Sequence, residues 1–228
     1  MFYRRRHAPH PIVYCTACYV LISLLLFIIT KRSVHLVVLW NVFLANLPLL
    51  LVLLMCLEDQ RRDSFRTGLL GVLWLIFFPN APYLVTDFIH LQHITFYTTE
   101  TTDVYTTNFW SWLGLIQIGT AVFIGLFSGM LSLWIIHHRF LKRLISPLAE
   151  LALLMIFITS GAAVYIGRFL RLNSWDLFYP VHFITQITGH INSFSIAFSL
   201  MSAGAVGIGY CVFSVLLMTA AKISRLHR

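Results

Sequence analysis

Asp87 and His90 lie three residues apart, and Arg168 and Arg171 repeat that spacing further along the chain. Residues three apart on a helix share a face. A carboxylate beside an imidazole is a pair that can move a proton, as base or as general acid. Two guanidinium forks can grip a phosphate through charge-assisted bonds. Asn41, Asn80, Tyr83, Thr86, Asn173 and Asp176 add the hydrogen-bonding groups that would orient such a ligand.

The setting of these residues is a membrane. The chain is 59% hydrophobic and 11% charged, with a mean hydropathy of +0.83. Soluble domains carry roughly 25% charged residues. Apolar segments consume nearly the whole length, so residues 1–228 read as a single polytopic membrane domain. Ionisable groups at membrane depth face a bundle interior or a wet cavity, which makes Asp87 and His90 markers of a site. Pro79 and Pro82 just before them interrupt the helix ladder, and the freed carbonyls need partners in protein or trapped water.

Six transmembrane helices are expected, at residues 12–30, 34–57, 67–91, 109–136, 147–170 and 194–221, in an all-α bundle. The third is expected to be kinked or broken at Phe78–Pro82. Residues 178–193 fit either an outer surface segment or part of a long last helix. The first apolar run is long enough to span and is followed by Lys31-Arg32, so it reads as a retained helix. With the N-terminus inside, the clusters at 4–6, 61–66, 139–143 and 222–228 place twelve Lys and Arg on the cytoplasmic side. Only Lys31, Arg32, Arg168 and Arg171 fall on the other, so both termini are expected in the cytoplasm. Loop 92–108 holds Glu100 and Asp103 and no Lys or Arg, and would lie outside as a lid or a connector.

Depth brings the polar residues together. At about 1.5 Å per residue, Pro79–Pro82 lie about 18–22 Å from the inner end of the third helix, and Asn41 about 10 Å below the outer surface. Asp87, His90, Arg168 and Arg171 reach the outer boundary. Three helices thus deliver polar groups to one outer-leaflet layer. Asn80 can cap a new helical segment with Pro82 in its first turn. Plainer roles exist for the same residues. Asp87 can staple helix ends through Arg168 or Arg171, Asn41 and Asn46 can tie helices together, and Asn173, Ser174 and Asp176 can cap a surface helix. Gly125 with Gly129, Ala163 with Gly167, and the glycines at 204, 207 and 209 suit close helix packing.

Several classes are excluded or weakened. The net charge of +8 is spread over short clusters between spans, whereas nucleic-acid binding needs a contiguous basic face. Cys15 and Cys18 form a C-x-x-C, but no second pair completes a zinc site, and Cys56 and Cys211 stand alone. His35, His90, His93, His182 and His190 fall at the outer side with no metal-ligand spacing, as loop histidines do. No cofactor and no metal is expected.

Three ordered blocks carry a family resemblance. They are Trp40-Asn41-x-Phe43-Leu44-Ala45-x-x-Pro48, then Trp74-Leu75-x-Phe77-Phe78-Pro79-Asn80-Ala81-Pro82-Tyr83 with Thr86-Asp87 and His90-Leu91, then Gly167-Arg168-Phe169-Leu170-Arg171-x-Asn173-Ser174-Trp175-Asp176. Together they resemble a bacterial family of multi-pass membrane proteins known only as domain of unknown function thirteen-sixty-one. The resemblance implies a bacterial cytoplasmic membrane and no particular activity. A Tyr-Asp-like pair is expected from it before the fourth helix, where this chain reads Tyr105-Thr106-Thr107-Asn108.

Three functions fit these residues. The first is an outer-leaflet pocket for an anionic amphiphile, such as a lipid phosphate or a lipid-linked cell-envelope precursor. Arg168 and Arg171 would hold the charge there, and Asp87 and His90 would serve any chemical step. The second is a small-solute transporter or channel built on the broken helix. The third is a scaffold or partner subunit for another membrane protein, in which the polar layer is structural.

Overall fold

The computed structural model describes residues 11–60, 63–92, 94–98 and 104–226. Helix α1 (Pro11–Thr30) ends at Lys31, in the left-handed conformation, and α2 (Val34–Gln60) follows at once. Among the described residues, five helical stretches are long and apolar enough to cross a membrane: Val34–Asp59, Ser64–Leu91, Phe109–Arg143, Ser146–Leu170 and Ser193–Leu226. The apolar stretch Tyr14–Thr30 of α1 is shorter. Where six spans are expected, the described residues offer five of full length and one shorter apolar helix.

Local chemistry sets the boundaries. Asp63 opens α3 (Ser64–Phe77) by accepting the Arg66 amide at 2.9 Å. Asn108 does the same for α5 (Phe109–Ile135), accepting from the Trp110 amide at 3.0 Å. Pro147 sits in the first turn of α6 (Ser146–Tyr165), where its missing N–H costs nothing.

The third span changes character where the prolines fall. After α3 come a one-turn helix α4 (Asn80–Tyr83) and a 3-10 helix at Leu84–Leu91. Backbone angles stay right-handed throughout, so the chain remains helical while its hydrogen bonds shorten in register. The Ala81 amide bonds to Phe78 O, three residues back, at 3.1 Å. That leaves the Phe77 carbonyl, whose ordinary partner would be Ala81, and Asn80 Nδ2 donates to it at 2.9 Å. Asn80 therefore repairs the break as a donor; it does not cap a helix start as the sequence suggested, and no side chain caps α4.

Residues 178–193 resolve into a separate nine-residue helix, α7 (Pro180–Thr188), before α8 (Ser193–Leu226). Asn192 starts α8 with a reciprocal pair of bonds to Ser195, each 2.9 Å. In the described part of loop 92–108, Tyr97 and Tyr105 form an isolated antiparallel bridge. Glu100, Asp103, His93, Arg4–Arg6, Arg61, Arg62 and Arg228 lie outside the described residues.

Two clusters of buried side chains make the core. One is built on Leu49, Trp74, Phe78, Leu133, Ile156 and Tyr210, the other on Val38, Val42, Ala81, Leu84, Ala121 and Val122. They meet where the third span passes from α3 through α4 to the 3-10 segment. Ser128 donates to Asn46 Oδ1 at 2.7 Å, so Asn46 does tie α2 to α5. Glycines let the helices close: a Cβ on Gly125 would strike Leu84, and one on Gly129 would strike Ala81. Only Gly204, of the later glycines, faces open space.

Candidate functional site

Asp87 is the centre of the polar layer. It has no accessible surface, and both its oxygens are occupied. Asn41 Nδ2 donates to Oδ2 at 2.8 Å, and Arg168 Nη2 donates to Oδ1 at 2.6 Å. Helix α2, the 3-10 segment and the turn after α6 are thereby joined by one carboxylate. His90, one turn on, brings Nε2 to 3.8 Å from Oδ1, an ion-pair distance and not a hydrogen bond.

Arg168 is held on three sides. Its Nε and Nη2 donate to Thr86 Oγ1 at 2.8 and 2.5 Å. The guanidinium carbon lies 4.4 Å from the centre of the Tyr83 ring, a cation–π contact. Thr86 passes its own proton to the Tyr83 carbonyl at 2.6 Å. The approach of Tyr83 needs Gly167, where a Cβ would sit 3.2 Å from the ring. Arg168 reaches this position from a π-helical turn, Ile166–Leu170, a form that recurs at functional sites.

That turn separates the two arginines. The expected shared face assumes an α-helix to residue 171, but the π turn widens the spiral and Arg171 ends it in the left-handed conformation at φ 57°. Arg168 points inward while Arg171 is exposed. Asp176 is taken up locally: its carboxylate accepts the Asn173 amide at 2.5 Å in a capping box that opens a 3-10 turn at Ser174–Phe178. The plainer reading of Asn173 and Asp176 as caps thus describes the contacts they make.

Beside this network is a cavity of about 160 Å³. Asn41, Asn80, Tyr83, Asn173 and Ser174 supply its polar lining, and Trp40, Leu44, Leu177 and Phe183 part of its apolar lining. Asn80 Nδ2 reaches Ser174 Oγ across it at 3.5 Å. Asn41 belongs to both places, lining the cavity and holding Asp87. Asp87, His90, Arg168, Arg171 and Asp176 do not line it. Sites for drug-sized ligands occupy roughly 300–1,000 Å³, so this space is smaller than such a site.

A second polar network was not foreseen. His35 is buried, not a loop histidine, and its Nδ1 pairs with Gln117 Oε1 at 2.7 Å. Gln117 Nε2 donates to Ser23 Oγ at 3.2 Å, so α1, α2 and α5 are joined. The signal was present: Gln117 interrupts the apolar run Leu115-Ile116-Gln117-Ile118. Gln117→Leu should lower thermal stability by about 1–3 kcal/mol, because it strands the buried His35 and Ser23 groups. A melting curve in detergent checks this.

Among the described residues, no group of three or more His, Cys, Asp or Glu is placed to hold a metal ion. Several apolar helices of spanning length, with a buried polar layer between them, define a multi-pass membrane protein. Within that class the chain belongs to the family described as "Protein of unknown function (DUF1361)", which matches residues 40–208. No curated protein and no solved structure matches the chain.

Proposed function

We propose that the cavity receives the polar headgroup of an anionic amphiphile from the outer leaflet of the bacterial cytoplasmic membrane, with both termini in the cytoplasm. The observation carrying this reading is the convergence of three carboxamides, Asn41, Asn80 and Asn173, on one small space inside an apolar bundle. Trp40 is 50% exposed and Leu177 41% exposed at its rim. Such side chains suit a mouth that opens sideways to lipid.

The charge for an anion comes from Arg171, next to the lining residue Leu172, because Asp87 already neutralises Arg168. Asp87 acts here by orienting Asn41 and Arg168, and His90 is the partly exposed group that remains for proton transfer. A second reading has its own support: a carboxylate with no accessible surface and both oxygens paired is what a purely structural staple needs.

Arg171→Gly separates the two readings. Glycine adopts a left-handed conformation without steric cost, so folding is expected to be unchanged or improved. The full-length protein, delipidated in mild detergent, is titrated with phosphatidylglycerol or with phosphatidylcholine of the same chains, and native mass spectrometry counts bound lipid. Preferential retention of phosphatidylglycerol, weakened about tenfold by Arg171→Gly, is expected. Equal binding of both lipids, or no change in the variant, would leave the staple as the whole role of the layer.

A further inference from the structure

We infer, resting on the headgroup reading and narrowing it, that the group entering the cavity of Asn41, Asn80 and Asn173 is hydroxylated, a polyol or a sugar. The phosphate of such a lipid stays outside, at the rim. The ligand's chemistry follows from which end of each carboxamide is free.

Two of the three carboxamides cannot turn over. Asn41 Nδ2 donates to Asp87 Oδ2 at 2.8 Å, and that carboxylate, ionised against Arg168, has only acceptors to offer. Asn80 Nδ2 donates to the Phe77 carbonyl at 2.9 Å, another group that can only accept. Flipping either amide would set oxygen against oxygen. Asn41 Oδ1 and Asn80 Oδ1 are therefore the free ends. Among the described residues nothing donates to them, and neither is sealed from solvent. Asn173 is turned the other way. Its side chain accepts the Asp176 amide in the capping box, which leaves Nδ2 free.

The carboxamides thus present two fixed acceptors and one donor, and no charged side chain stands among the described residues that line the cavity. An ionised phosphate inside would bring lone pairs against Asn41 Oδ1 and Asn80 Oδ1 and leave both unpaired. An ammonium could donate to them, but it has no lone pair for Asn173 and finds no carboxylate in the lining. A hydroxyl both donates and accepts, so hydroxyls on one carbon skeleton can satisfy all three carboxamides. Ser174 Oγ lies 3.5 Å from both Asn80 Nδ2 and the Ile76 carbonyl, loosely enough held to serve as donor or acceptor. Trp40, Leu44 and Phe183 cover the C–H faces of such a skeleton. Arg171, exposed at the rim, meets the phosphate that links the hydroxylated end to its acyl chains.

Four lipids with identical acyl chains vary hydroxyl and charge separately. Phosphatidylglycerol carries both, phosphatidylmethanol charge alone, glucosyl diacylglycerol hydroxyls alone, and phosphatidylcholine neither a hydroxyl nor a net charge. Each is titrated into the full-length protein, delipidated in mild detergent, and native mass spectrometry counts bound lipid. Phosphatidylglycerol should bind about tenfold tighter than phosphatidylmethanol, and glucosyl diacylglycerol about tenfold tighter than phosphatidylcholine. The tighter of the two hydroxylated lipids identifies the source, a polyol phosphate or a sugar. Asn173→Ser keeps a capping oxygen but deletes the free amine, and should cut the ratio of phosphatidylglycerol to phosphatidylmethanol affinity about threefold. Equal binding of those two lipids would overturn the inference, while a preference for both over phosphatidylcholine would leave the anionic reading standing. Equal binding of phosphatidylglycerol and glucosyl diacylglycerol, both above phosphatidylcholine, would support the hydroxylated ligand and remove the anionic one. Phosphatidylethanolamine binding tighter than phosphatidylglycerol would overturn the inference by making an amine the donor.

Discussion

Arg168→Met is expected to destabilise the protein by about 3–5 kcal/mol, the cost of leaving a buried charge without its partner. Folded proteins are stable by only 5–15 kcal/mol or so, and such a loss removes much of the monodisperse population. The reason is the carboxylate that remains. Asp87 has no accessible surface, and its Oδ1 depends on the 2.6 Å bond from Arg168. Methionine keeps an unbranched apolar stem of roughly the length of the arginine stem up to Nε while removing every donor. Thr86 also loses its two guanidinium bonds, although its own proton stays with Tyr83 O.

The partner substitution should be milder. Asp87→Asn leaves Arg168 charged, but that side chain is 14% exposed, stacks on Tyr83 and keeps Thr86. An asparagine can still accept from Asn41. The double variant Asp87→Asn, Arg168→Met carries no charge in the layer and should recover most of the loss in the single Arg168 variant. Size-exclusion profiles and melting temperatures of the three proteins check the order. If Arg168→Met behaves like the unmodified protein, the pair contributes little to folding and the layer is free to serve a ligand.

The convergence at Asp87 was legible because depth in a membrane is a ruler. Asn41, Asp87 and Arg168 sit on different helices, and counting residues from the expected span ends put all three in one layer. Hydrogen bonds now join them. What was not legible depended on helix type. The inference that Arg168 and Arg171 share a face required α-helical geometry, and the π turn at Ile166–Leu170 followed by a left-handed residue removed it. No local signal in Ile166-Gly167-Arg168-Phe169-Leu170 announces a π turn. The turn goes together with the contacts of Arg168 to Thr86, Asp87 and the Tyr83 ring.

Asn80 failed for a related reason. A residue before a helical segment is read as a cap for amides, yet a span with two prolines loses donors, not acceptors. Carbonyls were the groups in need, and the carboxamide turned its nitrogen toward Phe77 O. His35 and Gln117 were missed because each looks isolated in sequence. Only the packing of α1 and α2 on α5 makes them neighbours.

Gly161→Ala should approach the damage done by losing Arg168, although it adds one methyl group. The ideal Cβ would lie 2.6 Å from the Ala203 amide nitrogen and closer still to the Ser199 carbonyl oxygen, both backbone atoms of α8. Carbon neighbours settle at 3.5–4.0 Å or so, and backbone cannot swing aside as a side chain can. Helices α6 and α8 must therefore separate by roughly 1 Å along the whole interface. Overpacking of a core costs about 1–3 kcal/mol where side chains can adjust, and here the upper end applies. Gly129→Ala tests the same principle nearer the site, because its methyl would collide with Ala81 and displace the segment carrying Asn80 and Tyr83. Gly204→Ala is the control, with nothing within 4 Å of the new atom. Melting temperatures should fall for Gly161→Ala and Gly129→Ala and hold for Gly204→Ala. A uniform response across the three would mean that helix propensity, and not contact between helices, governs these positions.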